Sequence, residues 1–124
     1  MKHTFRITSP VLDNSEVVLV VDDEIMTEAQ AHEINNFWSS SVFRLADENG
    51  DIIQVVAKMF GEQVLRYAVG DEGALANSPD GCERYLTYVL ADLYEAWPDK
   101  DDLGITILKI DVPNVTDYVE IEKL

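Results

Sequence analysis

The sequence predicts an α+β domain of order β-β-α-α-α-β-β, with an antiparallel sheet of about four strands and the helices packed on one face. Two observations carry this. Apolar residues alternate, or run β-branched, near both ends of the chain. Between those ends they recur at spacings of three and four, the period of a helix. A length of 124 residues suits one domain, so residues 1–124 are read as a single acidic unit.

Residues 3–9 set Phe5 and Ile7 against Thr4, Arg6 and Thr8, the pattern of a half-buried strand. Pro10 ends it and Asp13-Asn14 supplies a turn. Glu16 to Asp22 is a β-branched run and reads as the hairpin partner. Thr27, followed three residues later by Gln30, has the form of a capping box. Ile34, Phe37, Trp38 and Ser41 continue at helical spacing, through a serine run that weakens the helix without a clear stop. Asp47-Glu48-Asn49-Gly50 is a loop, and Asp51 with Gln54 forms a second cap. From there Ile53, Val56, Phe60, Val64 and Tyr67 trace one face of a long helix. Gly61 interrupts that helix at a cost of about 1 kcal/mol relative to Ala, and Gly70 is placed to end it. Ser78-Pro79 reads as an N-cap and first helical position for a third helix. Its stripe is Cys82, Leu86, Val89, Leu90, Leu93 and Trp97, and Pro98 stops it. Residues 104–112 read as a third strand, and residues 117–123, which alternate, as a fourth. Phe37, Phe60 and Trp97 fall in phase with core stripes. Tyr85 and Tyr88 fall off the stripe and read as rim residues or, since Tyr is enriched at such patches, as marks of an interface.

Charge is the strongest anomaly. Nine Lys and Arg against 24 Asp and Glu give a net charge of −15. That balance disfavours direct contact with nucleic acid, where cations must neutralise phosphates. It disfavours anionic membrane surfaces for the same reason. It favours a basic protein as partner. No apolar run approaches the roughly 20 residues of a membrane span. The basic start of the chain, Met1 to Ile7, has no apolar segment behind it. A cytoplasmic protein is expected. Several acids also have structural uses, since Glu62 and Asp80 each precede an arginine, Arg66 and Arg84, by four residues.

The residue patterns that carry chemistry are missing. Cys82 is the only cysteine, so neither an internal disulfide nor a cysteine-rich zinc site can form, and a packing role is expected. Counting a calcium loop from Asp47 puts Ile52 where Gly is required and Lys58 where Glu is required. His3 and His32 lie in different elements, and a helix would set His32 and Ser39 two turns apart, beyond hydrogen-bond reach. Gly70 and Gly73 flank two acids, which would repel a phosphate. Asp92 and Glu95, beside the third helix's stripe, are the acids expected to be partly covered. No catalytic residue, cofactor or metal is expected.

The segment His32-Glu33-Ile34-Asn35-Asn36-Phe37-Trp38, followed by Asn49-Gly50-Asp51 and the helix beyond, resembles a small bacterial and phage-associated family of uncharacterised domains over residues 25–68. The resemblance implies no activity and transfers no functional residue. It implies a phage or mobile-element origin.

The expectation for function is therefore a small acidic, non-enzymatic protein that engages a basic protein surface. Its interaction residues are taken as Asp22, Asp23, Glu24, Asp99, Asp101, Asp102, Glu120 and Glu122. On a strand, Glu120 and Glu122 would stand about 7 Å apart and could imitate a nucleic-acid backbone. Two other readings stay open. One is a small enzyme built on a pocket holding His32, Cys82 or a buried acid. The other is a self-associating module that pairs strand edges at residues 3–9 or 117–123.

Overall fold

The computed structural model describes residues 1–9, 15–70, 79–93, 95–112 and 122–123. It is α+β, with strands β1 (Lys2–Thr8), β2 (Glu16–Asp22) and β3 (Ile105–Asp111) and helices α1 (Glu28–Phe37), α2 (Ser41–Asp47), α3 (Ile52–Gly70), α4 (Pro79–Asp92) and the single turn α5 (Lys100–Leu103). The strands form an antiparallel sheet of order β1-β2-β3. The predicted fourth strand falls almost wholly on residues outside those described, and Glu122 and Lys123 carry no strand.

The sheet has one wet and one dry face. Phe5 and Ile7 of β1, Val17, Leu19 and Val21 of β2, and Ile105, Ile107 and Ile110 of β3 turn toward the helices. The register slips between Val18 and Leu19, which face Lys109 and Ile107 respectively. Leu108 is therefore a bulged residue, and it stands 56% exposed on the outer side. There Glu16 holds two cations, Arg6 at 3.1 Å and Lys109 at 2.8 Å, one from each neighbouring strand. Helix α3 lies on β1 and β2 and α4 on β3, while α1 packs principally on α3 and α2 sits against both α1 and α3. The layer predicted on the sheet is thus made by α3 and α4, with α1 and α2 outside it.

Local chemistry explains the helix boundaries. Thr27 Oγ1 accepts from the Gln30 amide at 3.2 Å and opens α1. The predicted helix through Ser41 breaks in two, because Ser40 takes a left-handed φ of 69°. The backbone then reverses and α2 starts afresh. At the far end of α2 the Gly50 amide donates to Leu45 O and the Asn49 amide to Ala46 O, with Asn49 at φ 56°. That pair of bonds is a Schellman ending. The Asp51 carboxylate then accepts from the Gln54 amide at 3.1 Å, so α3 begins at once. Helix α4 ends at Asp92, a turn earlier than Pro98 would require, and Ala96 reverses the chain at φ 69°. Ser78, predicted as its cap, lies outside the described residues.

Two glycines answer to packing. A Cβ on Gly61 would come within 2.9 Å of Ile7, so the glycine that weakens α3 also lets it lie close against β1. Gly104 has φ +69°, and a Cβ there would lie 2.9 Å from Asp22 O, Ile25 Cβ and Met26 N.

The core is one contiguous cluster, with Phe60 and Tyr85 fully buried and Trp97 packed at 5.5 Å from Phe60. Phe60 and Trp97 are core as predicted, but Phe37 is 53% exposed, because the break after α1 leaves its ring with no helix to lie against. Tyr85, expected at a rim, is completely buried. Helix α4 packs on both α3 and β3, so its buried face is wider than a single stripe. Tyr88 does stay at the rim, stacked on Tyr67.

Candidate functional site

The acidic residues singled out in the sequence come from two segments far apart in the chain. The sheet brings them to one end. Val21 pairs with Ile105, and the Asp22 amide donates to Gly104 O at 2.8 Å. Gly104 is also packed against the 22–26 turn by the close approach its missing Cβ allows. Asp22, Asp23 and Glu24 thus meet the segment carrying Asp99, Asp101 and Asp102. Trp97 and Leu103 anchor that segment by burying their side chains in the core, and the three aspartates between them stay exposed.

Within this group the acids divide by task. Asp23 is a clamp. Its carboxylate accepts from the Met1 amino group at 2.8 Å and lies 2.8 Å from His3 Nε2. These bonds, the amino group's first, hold it below the usual carboxylate range. Asp22 Oδ1 accepts from the Glu24 amide at 3.1 Å and so shapes the turn. Glu24 is 81% exposed and lies 3.8 Å from the Met1 amino group. Asp99, Asp101 and Asp102 are exposed and enter no side-chain ion pair among the described residues. The nearby cation Lys100 is bonded to Glu83 on α4. Among the described residues Asp99, Asp101 and Asp102 therefore carry charge that the fold does not consume, and Glu24 is compensated only by the amino group 3.8 Å away. Glu120 lies outside the described residues, and Glu122 is exposed with no strand assigned.

His32 and Cys82, the side chains considered for catalysis, lie on different helices, α1 and α4. Cys82 is buried beneath β3, and burial pushes its thiol up, away from the thiolate. His32 is half-buried on α1. Neither lines any of three clefts formed by described residues. The largest of the three, about 420 Å³, runs between β1 and α3. Its polar groups are engaged with one another: Lys58 donates to Glu48 at 2.9 Å and Gln54 to Glu48 at 2.6 Å. Glu48 is consequently held low, as are Glu16 and Glu83 beside their lysines. A general acid needs the opposite shift. Asp92 and Glu95, expected to be partly covered, are exposed. The Glu62–Arg66 pair forms at 2.7 Å, whereas among the described residues Asp80 and Arg84 form no ion pair with each other. No group of three or more metal-ligating side chains occurs among the described residues, and no described helix is long and apolar enough to cross a membrane.

One arrangement lay outside the sequence reading. Arg44 of α2 reaches back over the end of α1 and donates to Asn35 Oδ1 (2.7 Å), Asn35 O (2.8 Å), Ser39 O (2.6 Å) and Trp38 O (3.1 Å). Asn35, 1% exposed, in turn donates to Ser41 O. The serine run was the available signal that the helix stops, and an arginine shortly after it could supply the cap.

Residues 16–123 match the model of a family described as a protein of unknown function (DUF2528). The chain is 31% identical over 104 residues to protein ea10 of Escherichia phage lambda, covering 83% of this chain and 81% of that one. It matches the lambda prophage-derived protein ea10 of Escherichia coli O6:H1 (strain CFT073) to the same extent. No solved structure matches.

Proposed function

Given that the chain belongs to the phage-associated DUF2528 family, we propose that it is a non-enzymatic binding protein whose acidic sheet end docks on a basic protein surface. The supporting observation is the convergence of Asp22–Glu24 and Asp99–Asp102 across the Asp22–Gly104 hydrogen bond. It leaves Glu24, Asp99, Asp101 and Asp102 with little internal compensation. Carboxylates on a turn and on a short helix, both pinned by buried neighbours, need little ordering on binding, which favours association. Long-range attraction from the −15 chain would speed encounter with a cationic partner.

The test uses a synthetic Lys/Arg-rich peptide as probe, with binding measured by anisotropy as salt is raised. The triple variant E24Q/D101N/D102N is compared with D80N/D92N/D111N, which removes the same charge from exposed positions on α4 and β3. The first set should weaken binding at least about tenfold more than the second. Equal losses would show that net charge alone attracts the probe, and the proposed surface would be wrong.

A further inference from the structure

The α1–α2 hairpin exposes apolar side chains that the fold does not use. Phe37 is 53% exposed, Trp38 37%, Val42 75% and Phe43 73%, all within residues 37–43. The Phe37 and Trp38 rings meet edge to face at 4.9 Å. Arg44 ties Trp38 and Ser39 to α2 through their carbonyls, so the patch is held in shape. From the exposed fractions, the three rings present roughly 300 Å² of aromatic surface, with Val42 additional, which is the size of a functional patch.

The same region differs in charge from the rest of the chain. Residues 34–46 contain none of the 24 acids and one cation, Arg44. Arg44 spends four hydrogen bonds on Asn35, Trp38 and Ser39. Covering the patch would therefore bury no unpaired charge. The acidic sheet end lies near the start of α1, and the patch lies at the other end of that helix, about 15 Å away.

We infer that this patch is the face on which two copies of the chain pair. Two copies at −15 repel one another, and this acid-free stretch lets them meet without apposing carboxylates. A basic partner would gain nothing from a neutral apolar surface, whereas a second copy brings an equally apolar, acid-free surface to a two-fold contact. Pairing covers the patch on both copies. With the surrounding serines and asparagines the buried total reaches about 1,000 Å², the threshold for a specific interface. The dimer presents two acidic sheet ends, so a repeated basic partner would be held bivalently.

Sedimentation velocity of the full chain tests this. The wild type should run at twice the 14.0 kDa chain mass, and more tightly as salt screens the repulsion. Phe43→Asp places an acid in the first turn of α2, where a helix tolerates it, and should raise the dimer Kd about thirtyfold or more. Leu108→Asp, at an equally bare apolar residue on the outer sheet face, should leave the dimer unchanged. V42C should cross-link to its copy on mild oxidation, since the native Cys82 is buried. A wild type that stays monomeric at millimolar concentration and high salt would overturn the inference. So would a dimer indifferent to F43D, or one broken by L108D. None of these outcomes touches the acidic end, so the two proposals fail separately.

Discussion

Removing Arg44 should cost this protein a large share of its stability while leaving its surface charge pattern almost intact. Its guanidinium makes four hydrogen bonds, all to neutral acceptors. The two to Asn35 are part-buried and the two to Trp38 and Ser39 are exposed. A hydrogen bond from a charged donor is worth about 1.5–3 kcal/mol net when covered, and less where water can replace it. The cation also faces the negative end of α1, worth about 0.5 kcal/mol. Arg44→Ala should therefore destabilise by about 3 kcal/mol, against the roughly 5–15 kcal/mol that a domain of this size commands. Urea denaturation followed by circular dichroism measures this directly, and the melting temperature should fall by about 10 °C. Arg44→Lys keeps the charge but not the fork, and should recover less than half of the loss. Because no carboxylate takes part, the deficit should persist in molar salt, unlike that of a surface ion pair. A loss below about 1 kcal/mol, or one that disappears in high salt, would mean that water caps α1 adequately and that the reasoning is wrong.

Gly104 and Gly50 share a positive φ, at 69° and 82°, but only Gly104 is hemmed in. Gly104→Ala should cost about 3 kcal/mol or more and Gly50→Ala about 1 kcal/mol in the same urea assay; equal losses would contradict the close packing of Gly104 on the 22–26 turn. Glu48 is 12% exposed, and Lys58 first, with Gln54, holds its carboxyl below the ordinary 4.5. A depressed carboxylate stabilises the fold above its unfolded value, and that contribution is lost as pH falls through the lower folded value. Glu48→Gln should thus cost about 1 kcal/mol at neutral pH and nothing in strong acid; parallel stability curves from pH 7 to acid would rule the contribution out.

What could be read from the residues was whatever depended on near neighbours. The β-branched run of β2, the Thr27 and Asp51 caps and the stripe of α3 from Ile53 to Val64 each rest on interactions within a few positions, and each stands in the structure, while Tyr67 at the end of that stripe is exposed. Phe37 was misplaced because its phase is right but its helix ends. A left-handed Ser40 is a property of the turn, and periodicity carries no trace of it. Tyr85 was misplaced because a helical wheel shows one buried face and not how many neighbours press on it. Gly61 looked like a local weakness until Ile7 was found against it, a contact between positions 54 residues apart. The candidate site shows the same division. The acids could be listed from composition, but their convergence depends on β2 pairing with β3, which are separated by residues 23–104.

That long separation bears on how the protein is made. The central strand β2 acquires its β1 partner at once, from the preceding residues, but its other edge stays bare until β3 emerges from the ribosome. A nascent chain of strand and helix then carries Val17, Leu19 and Val21 beside an open row of backbone donors and acceptors, the arrangement that invites misassembly. Synthesis at about 5–20 residues per second keeps it in that condition for several seconds. Acids mark both ends of the bare strand, Glu16 at its start and Asp22 at its close, with Asp23 and Glu24 just beyond. Mutual repulsion between neighbouring nascent chains would hold those edges apart until each chain supplies its own closing strand.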